Sequence, residues 1–267
     1  MTISAVIIIL REVLEAALLV SLLLSSAMVM GISRRGVVAG IVLGIIGAGV
    51  VTWQFDGISE GFEGVGQEVF NAVLLASIVL LLLAYSYYMA RRAGGQQTGV
   101  SAPLVLACLV VAIAVTREGV EVFVFLYGFT AIPSELLSVL VGAAMGAGIG
   151  VSIGVLIFYA LINLPGRISV SLPQFLIALI AAGMTSQAVV YLTQGGLIDS
   201  RLPVWDTSGW IPESSVTGQM LYALLGYEAT PTVTQLGLYG MTLLLFAGVA
   251  LVTRRQPVVS AGEGGSR

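Results

Sequence analysis

Apolar residues along this chain gather into seven blocks, about 3–30, 37–55, 69–90, 103–130, 136–162, 171–193 and 236–253, parted by short stretches of charge, glycine and proline. Crossing a hydrocarbon layer of ~30 Å takes a helix of about 20 residues, and each block is long enough. The pattern predicts an all-α polytopic membrane protein with seven transmembrane helices. The first block has no basic stretch ahead of it and carries Arg11, Glu12 and Glu15 within it, so it reads as a mature helix and not as a signal peptide.

The polar positions repeat. Sliding the chain on itself by 106 residues sets Arg11-Glu12-Val-Leu-Glu15 on Arg117-Glu118-Gly-Val-Glu121, Gly36, Gly40 and Gly44 on Gly142, Gly146 and Gly150, and Tyr85 on Tyr191. Spans 1–3 and 4–6 are thus two copies of one unit, with span 7 added. A unit of three spans is odd, so the second copy runs upside down, the plan that places a transporter's substrate near mid-membrane where the copies meet. The organisation expected is a permease domain over 1–253, made of repeat one (1–92), repeat two (101–193), an external loop (194–235) and a seventh helix (236–253), then a cytoplasmic tail (254–267). Glycines four apart let helix backbones approach, so spans 2 and 5 read as packing elements.

Composition sharpens this picture. The chain is 58% hydrophobic and 9% charged over 267 residues, which excludes a water-soluble enzyme. It holds no histidine, its basic residues are all arginine, and its one cysteine, Cys108, lies inside an apolar block. Histidine-ligated heme, Cys/His zinc sites, histidine proton relays and an intrachain disulfide are excluded. Eight of the 11 arginines follow spans 1, 3, 5 and 7, and the positive-inside rule then puts the N-terminus outside and the C-terminus inside. Nine of the 14 acids fall on the opposite face, where they concentrate cations.

Six ionisable residues remain inside spans 1 and 4, each costing at least about 2.5–3.5 kcal/mol unless partnered. Residues three and four apart share a helix face, so Glu12 and Glu15 point together and Arg11 reaches Glu15 across one turn; Glu118, Glu121 and Arg117 repeat the arrangement. If a twofold axis joins spans 1 and 4, four carboxylates converge with two arginines. Three uses follow: ion pairs that lock helices, a proton relay among crowded carboxylates, or a cation site of formal charge minus two. Oxygen donors favour a hard ion, and magnesium, calcium, manganese and iron all remain open. A di-iron enzyme of the bundle type would need Glu-x-x-His motifs, which a chain without histidine lacks.

Arg-Glu-x-x-Glu in spans 1 and 4, with glycine-rich spans 2 and 5 and the Gly-Tyr-x-x-x-Pro-x-x-x-Gln stretch from Gly226 to Gln235, resembles the oxidase-dependent iron permease family. The resemblance implies import of iron, usually as Fe(III) made by a partner oxidase, across the cytoplasmic membrane. It implies Glu12, Glu15, Glu118 and Glu121 as ligands, Arg11 and Arg117 as the groups that orient them, and an entry path near the start of span 3, at Glu60, Glu63, Gln67 and Glu68. Iron is then the transported substrate and no organic cofactor is expected. The partners are the lipid bilayer, iron ions and a separate extracytoplasmic oxidase or iron-delivery protein, with no nucleic acid. The alternative is a proton-coupled carrier of another divalent cation such as manganese or magnesium.

Thr185, Ser186 and Gln187 form a polar patch at mid-depth in span 6, and with Thr116 they are candidates for lining the path. The loop over 194–235 holds Trp205, Trp210, Tyr222 and Tyr227, and Gln219 to Leu225 reads as a short amphipathic helix lying at the interface.

Overall fold

The computed structural model describes residues 2–96, 99–130, 133–199 and 202–255. Arg201 and the tail over 256–267 lie outside them. The described residues form ten helices: α1 (Thr2–Val29), α2 (Arg35–Trp53), α3 (Phe55–Ser59), α4 (Gly61–Gly64), α5 (Gly66–Ala93), α6 (Ser101–Gly128), α7 (Pro133–Ile162), α8 (Ile168–Gln194), α9 (Val216–Leu225) and α10 (Val233–Arg255). The seven long ones match the seven apolar blocks to within three residues at each end. Six of them are long and apolar enough to cross a membrane. The other, α1, has 28 residues and three ionisable groups, two of which, Glu12 and Glu15, are buried inside the bundle. The chain is a polytopic all-α membrane protein.

The two halves pack by exchange. α1 lies along α7 and α2 along α6, while α5 and α8 face each other and α1 meets α6 between them. Each second helix thus leaves its own first helix and covers the first helix of the other copy. Glycine makes this close approach feasible. A Cβ at Gly40 would stand 2.6 Å from the Cys108 carbonyl oxygen, and one at Gly150 would stand 3.2 Å from the Leu14 amide nitrogen. The outer faces of α2 and α7 expose Val42, Ile45 and Ile46, and Val141, Met145 and Ile149, an apolar surface suited to lipid.

One feature departs from the gap-free repeat. At the 106-residue step Gly44 corresponds to Gly150. Gly44 meets Ala112 and Val115, yet Val6, the counterpart of Ala112 in α1, is met by Gly146, while Gly150 meets Val13 and Leu14. The second helix of copy two is therefore slid one turn along its partner, about 6 Å for four residues. The core fills the space between α1, α5, α6 and α8. Leu18, Leu22, Ile78, Leu82, Val110 and Ile177 are almost wholly buried there and form a dry plug beneath the motif glutamates.

The connection before α10 is not a surface strap. Ser215 caps α9 by accepting a hydrogen bond from the Gly218 amide at 3.0 Å, and Gly226 ends it in the left-handed region at φ 66°. Gly226 then rests directly on Gly183, at the middle of α8, and α9 packs on α1 and α8. The interfacial helix expected over Gln219–Leu225 thus starts earlier, at Val216, and dips into the bundle, because two glycines let the backbones touch. Trp210 alone of the loop aromatics is almost fully exposed.

Candidate metal centre

α1 and α6 bring their motifs side by side. One carboxylate oxygen each from Glu12, Glu118 and Glu121 lies within 4.8 Å of the others, a grouping that suits one cation. Glu12 and Glu118 are buried and each keeps one oxygen, Oε2 in both, with no hydrogen-bond partner. Unpaired buried carboxylate oxygens are costly, and a bound cation would satisfy them. Glu121 is more open, with 18% of its side chain exposed.

The arginines cross-link the motifs in a manner the helix spacing alone does not show. Arg11 does not reach across one turn to Glu15. Its guanidinium folds back on its neighbour, with Nη2 and Nε at 2.5 and 2.8 Å from Glu12 Oε1, and stands 3.9 Å from Glu121 Oε2 on the other helix. Arg117 repeats the neighbour pair, with Nη1 at 2.5 Å from Glu118 Oε1, and adds Glu121 at 3.1 Å and Glu15 at 3.5 Å. Glu12 and Glu118 are each paired with the arginine that precedes them. Glu15 is the acid drawn aside: it pairs with Arg117 and borders a small cavity of about 10 Å³ with Gln187, Met184 and Tyr222, at the margin for one water.

A larger cavity, about 260 Å³, leads to the site from the face that carries α3. Phe55, Gln67, Asn71, Glu121, Phe125 and Tyr191 are among its walls. Of the entry candidates, Gln67 lines this vestibule. Glu60 is exposed at the turn before α4, Glu68 sits in the first turn of α5 with Oε2 buried and unpartnered, and the side chain of Glu63 lies outside the described residues. Of the path-lining candidates, Gln187 reaches the cavity beside Glu15. Thr116 donates to the Gly44 carbonyl between α6 and α2, Thr185 bonds the Ala181 carbonyl and Thr242 of α10, and Ser186 is buried in α8.

Two tyrosines complete the surroundings. Tyr191 donates to Glu121 Oε1 at 3.0 Å, accepts from Arg117 Nη2 at 3.5 Å, and places its ring 6.0 Å from the Arg117 guanidinium carbon. On the other side the Tyr222 ring lies 6.0 Å from that of Arg11. Each motif arginine thus has an aromatic partner. The repeat step pairs Tyr191 with Tyr85, a signal that marks the residue without giving it a role; Tyr222 is marked only as a loop aromatic, and nothing in the linear pattern marks Asn71. Tyr85 itself is far from the acids, with its hydroxyl 3.4 Å from the Leu23 carbonyl.

The Gly226–Gln235 stretch anchors α9. Tyr227 bonds Thr207 and the Ile211 carbonyl, Glu213 accepts from the Ala229 amide, and Gln235 donates to Glu228. Burial pushes the Glu228 carboxyl up to about 7, the Gln235 amide works against that rise and the nearby Glu213 adds to it.

A family model, the Iron permease FTR1 family, matches residues 2–255. No curated protein and no solved structure matches the chain. With nearly the whole chain covered, including both motifs and all seven long helices, this protein belongs to the iron permease FTR1 family and is a transporter of iron, not an enzyme.

Proposed function

We propose that this chain imports iron as Fe(III) across the cytoplasmic membrane, with the ion held by Glu12, Glu118 and Glu121 and with Glu15, Arg11 and Arg117 orienting them. The observation that supports this most is the pair of buried, unpartnered Oε2 atoms of Glu12 and Glu118 beside Glu121. They are hard oxygen donors gathered at the end of a vestibule, which suits a hard cation. The arginine-rich connections favour an inside C-terminus, so the vestibule opens outward, where a separate oxidase or delivery protein would supply the ion.

The repeat suggests how the ion leaves. Applying the 106-residue step to the vestibule wall turns Val120, Val124, Phe125 and Asn71 into Leu14, Leu18, Leu19 and Ile177, all of them buried in the dry plug. The wall that is open in one copy is packed shut in the other. Exchange of the two conformations would close the vestibule and open a cytoplasmic exit along these residues, the rocking expected of inverted repeats.

The experiment is uptake of radiolabelled iron by cells that carry the protein, with manganese and magnesium as competitors. Glu118→Gln abolishes uptake on this reading, and excess manganese or magnesium leaves wild-type uptake unchanged. Normal uptake by Glu118→Gln, or full competition by manganese, would refute it.

A further inference from the structure

We infer that Asn71 and Gln67 form a second, neutral cation station in the vestibule, where the incoming ion trades bound water for amide oxygens before it reaches the carboxylates. This rests on the carboxylate site proposed above. Both residues stand on α5 and line the cavity that ends at Glu121. Gln67 is in the first turn, nearer α3, and Asn71 follows one turn, about 6 Å, farther along the helix. The rest of the wall is mostly apolar, with Phe55, Ile58, Phe70 and Val124 among its residues.

Asn71 carries the argument. It is 7% exposed, it lines the cavity, and among the described residues its amide makes no hydrogen bond. A buried amide without a partner is costly, and a polar guest in the cavity would supply one. Helix packing does not call for the amides. At the 106-residue step Gln67 and Asn71 become Pro173 and Ile177, both buried in α8, so the copy that is packed shut is built with apolar residues at these two positions. The amides occur only where the wall is open. An uncharged donor suits this place. Carbonyl oxygens can replace the water of a hard cation, and without charge of their own they hold it weakly enough to pass it on toward the three converging acids.

The test is stopped-flow binding of terbium(III), a hard trivalent ion whose luminescence nearby tyrosine sensitises, to the purified full chain in detergent. A station ahead of the carboxylates makes binding two-step, so the observed rate of the slow step should level off as terbium is raised, a readout that needs no variant. A rate that climbs linearly throughout overturns the station. Asn71→Ile, which installs the residue of the other copy, should raise the half-saturating concentration of that rate roughly tenfold or more, while the equilibrium affinity stays within about twofold of wild type. Asn71→Asp keeps an oxygen and adds charge, and it should bring the half-saturating concentration below that of wild type. Equal effects of the two substitutions would make Asn71 a packing residue, and a loss of equilibrium affinity in Asn71→Ile as large as the kinetic one would place it in the carboxylate site itself; either overturns the station. Glu118→Gln separates the two readings, since it should keep the fast step and lose the slow one. Wild-type binding by Glu118→Gln overturns the carboxylate site, and no binding of any kind overturns the station.

Discussion

The two motifs are alike in sequence yet unequal in burial, and that difference can be measured. The side chain of Arg117 is 3% exposed and touches Glu15, Glu118 and Glu121, while that of Arg11 is 38% exposed, touches Glu12 and stands 3.9 Å from Glu121. Replacing Arg117 with methionine keeps its length and apolar stem but strands three acids, two of them buried. Removing one partner of a buried ion pair costs about 3–5 kcal/mol. The same change at Arg11 removes a part-exposed guanidinium and strands one buried acid, Glu12, and should cost less than the loss of Arg117. At roughly 2–4 °C per kcal/mol for a chain of this size, Arg117→Met should lower the unfolding midpoint by on the order of 10 °C and Arg11→Met by less. The assay is thermal unfolding of iron-free protein in detergent, followed by tryptophan fluorescence. The double variant Arg117→Met with Glu118→Gln should recover part of the loss, because it removes a stranded charge. Equal losses for the two single variants, or no recovery in the double one, would refute the reasoning.

Three further outcomes follow from the surroundings of the site. The Glu228 carboxyl is raised in the folded protein to about 7, so its contribution to stability is fully present below its ordinary value and is lost as pH rises through 7. Hydrogen exchange over 226–235 should therefore be slower at pH 5 than at pH 8 after correction for intrinsic rates, and Glu228→Gln should flatten the difference. A Cβ at Gly183 would stand 2.7 Å from the Gly226 Cα, a backbone atom with no side chain to yield, so Gly183→Ala should cost about 1–3 kcal/mol and loosen α9. Limited proteolysis between α8 and α10 should rise in that variant and stay unchanged in Gly237→Ala, where the added carbon meets nothing. In a Cys108→Ala background, an impermeant thiol reagent should label Val124→Cys from outside, and Leu18→Cys only from the cytoplasmic side during iron uptake. A Leu18→Cys variant that never reacts would argue against the exit.

Much of this architecture can be read from the residues because a membrane leaves few options. Each apolar block became a helix, and the Arg-Glu-x-x-Glu pair marked the meeting of α1 and α6, since six ionisable groups in lipid need one another. Pairing within that cluster was less legible. Helical periodicity gives the direction of Glu12 and Glu15 but not the fold-back of a long arginine onto its neighbour, nor the drift of Glu15 toward Arg117. Glycine spacing announced close packing without saying on which helix, and exchange between copies with a one-turn slide is a property of the assembled bundle. The inward turn of α9 escaped for a related reason: it depends on Gly183 and Gly226 meeting across 42 intervening positions, and neither residue signals the other.

The most direct test of the central claim is a diffraction experiment at the iron absorption edge on crystals of the protein loaded with Fe(III). The account predicts one anomalous peak bounded by Glu12, Glu118 and Glu121 at the inner end of the vestibule, absent in Glu118→Gln. A peak confined to the acids of the connecting loops, with none between α1 and α6, would contradict it.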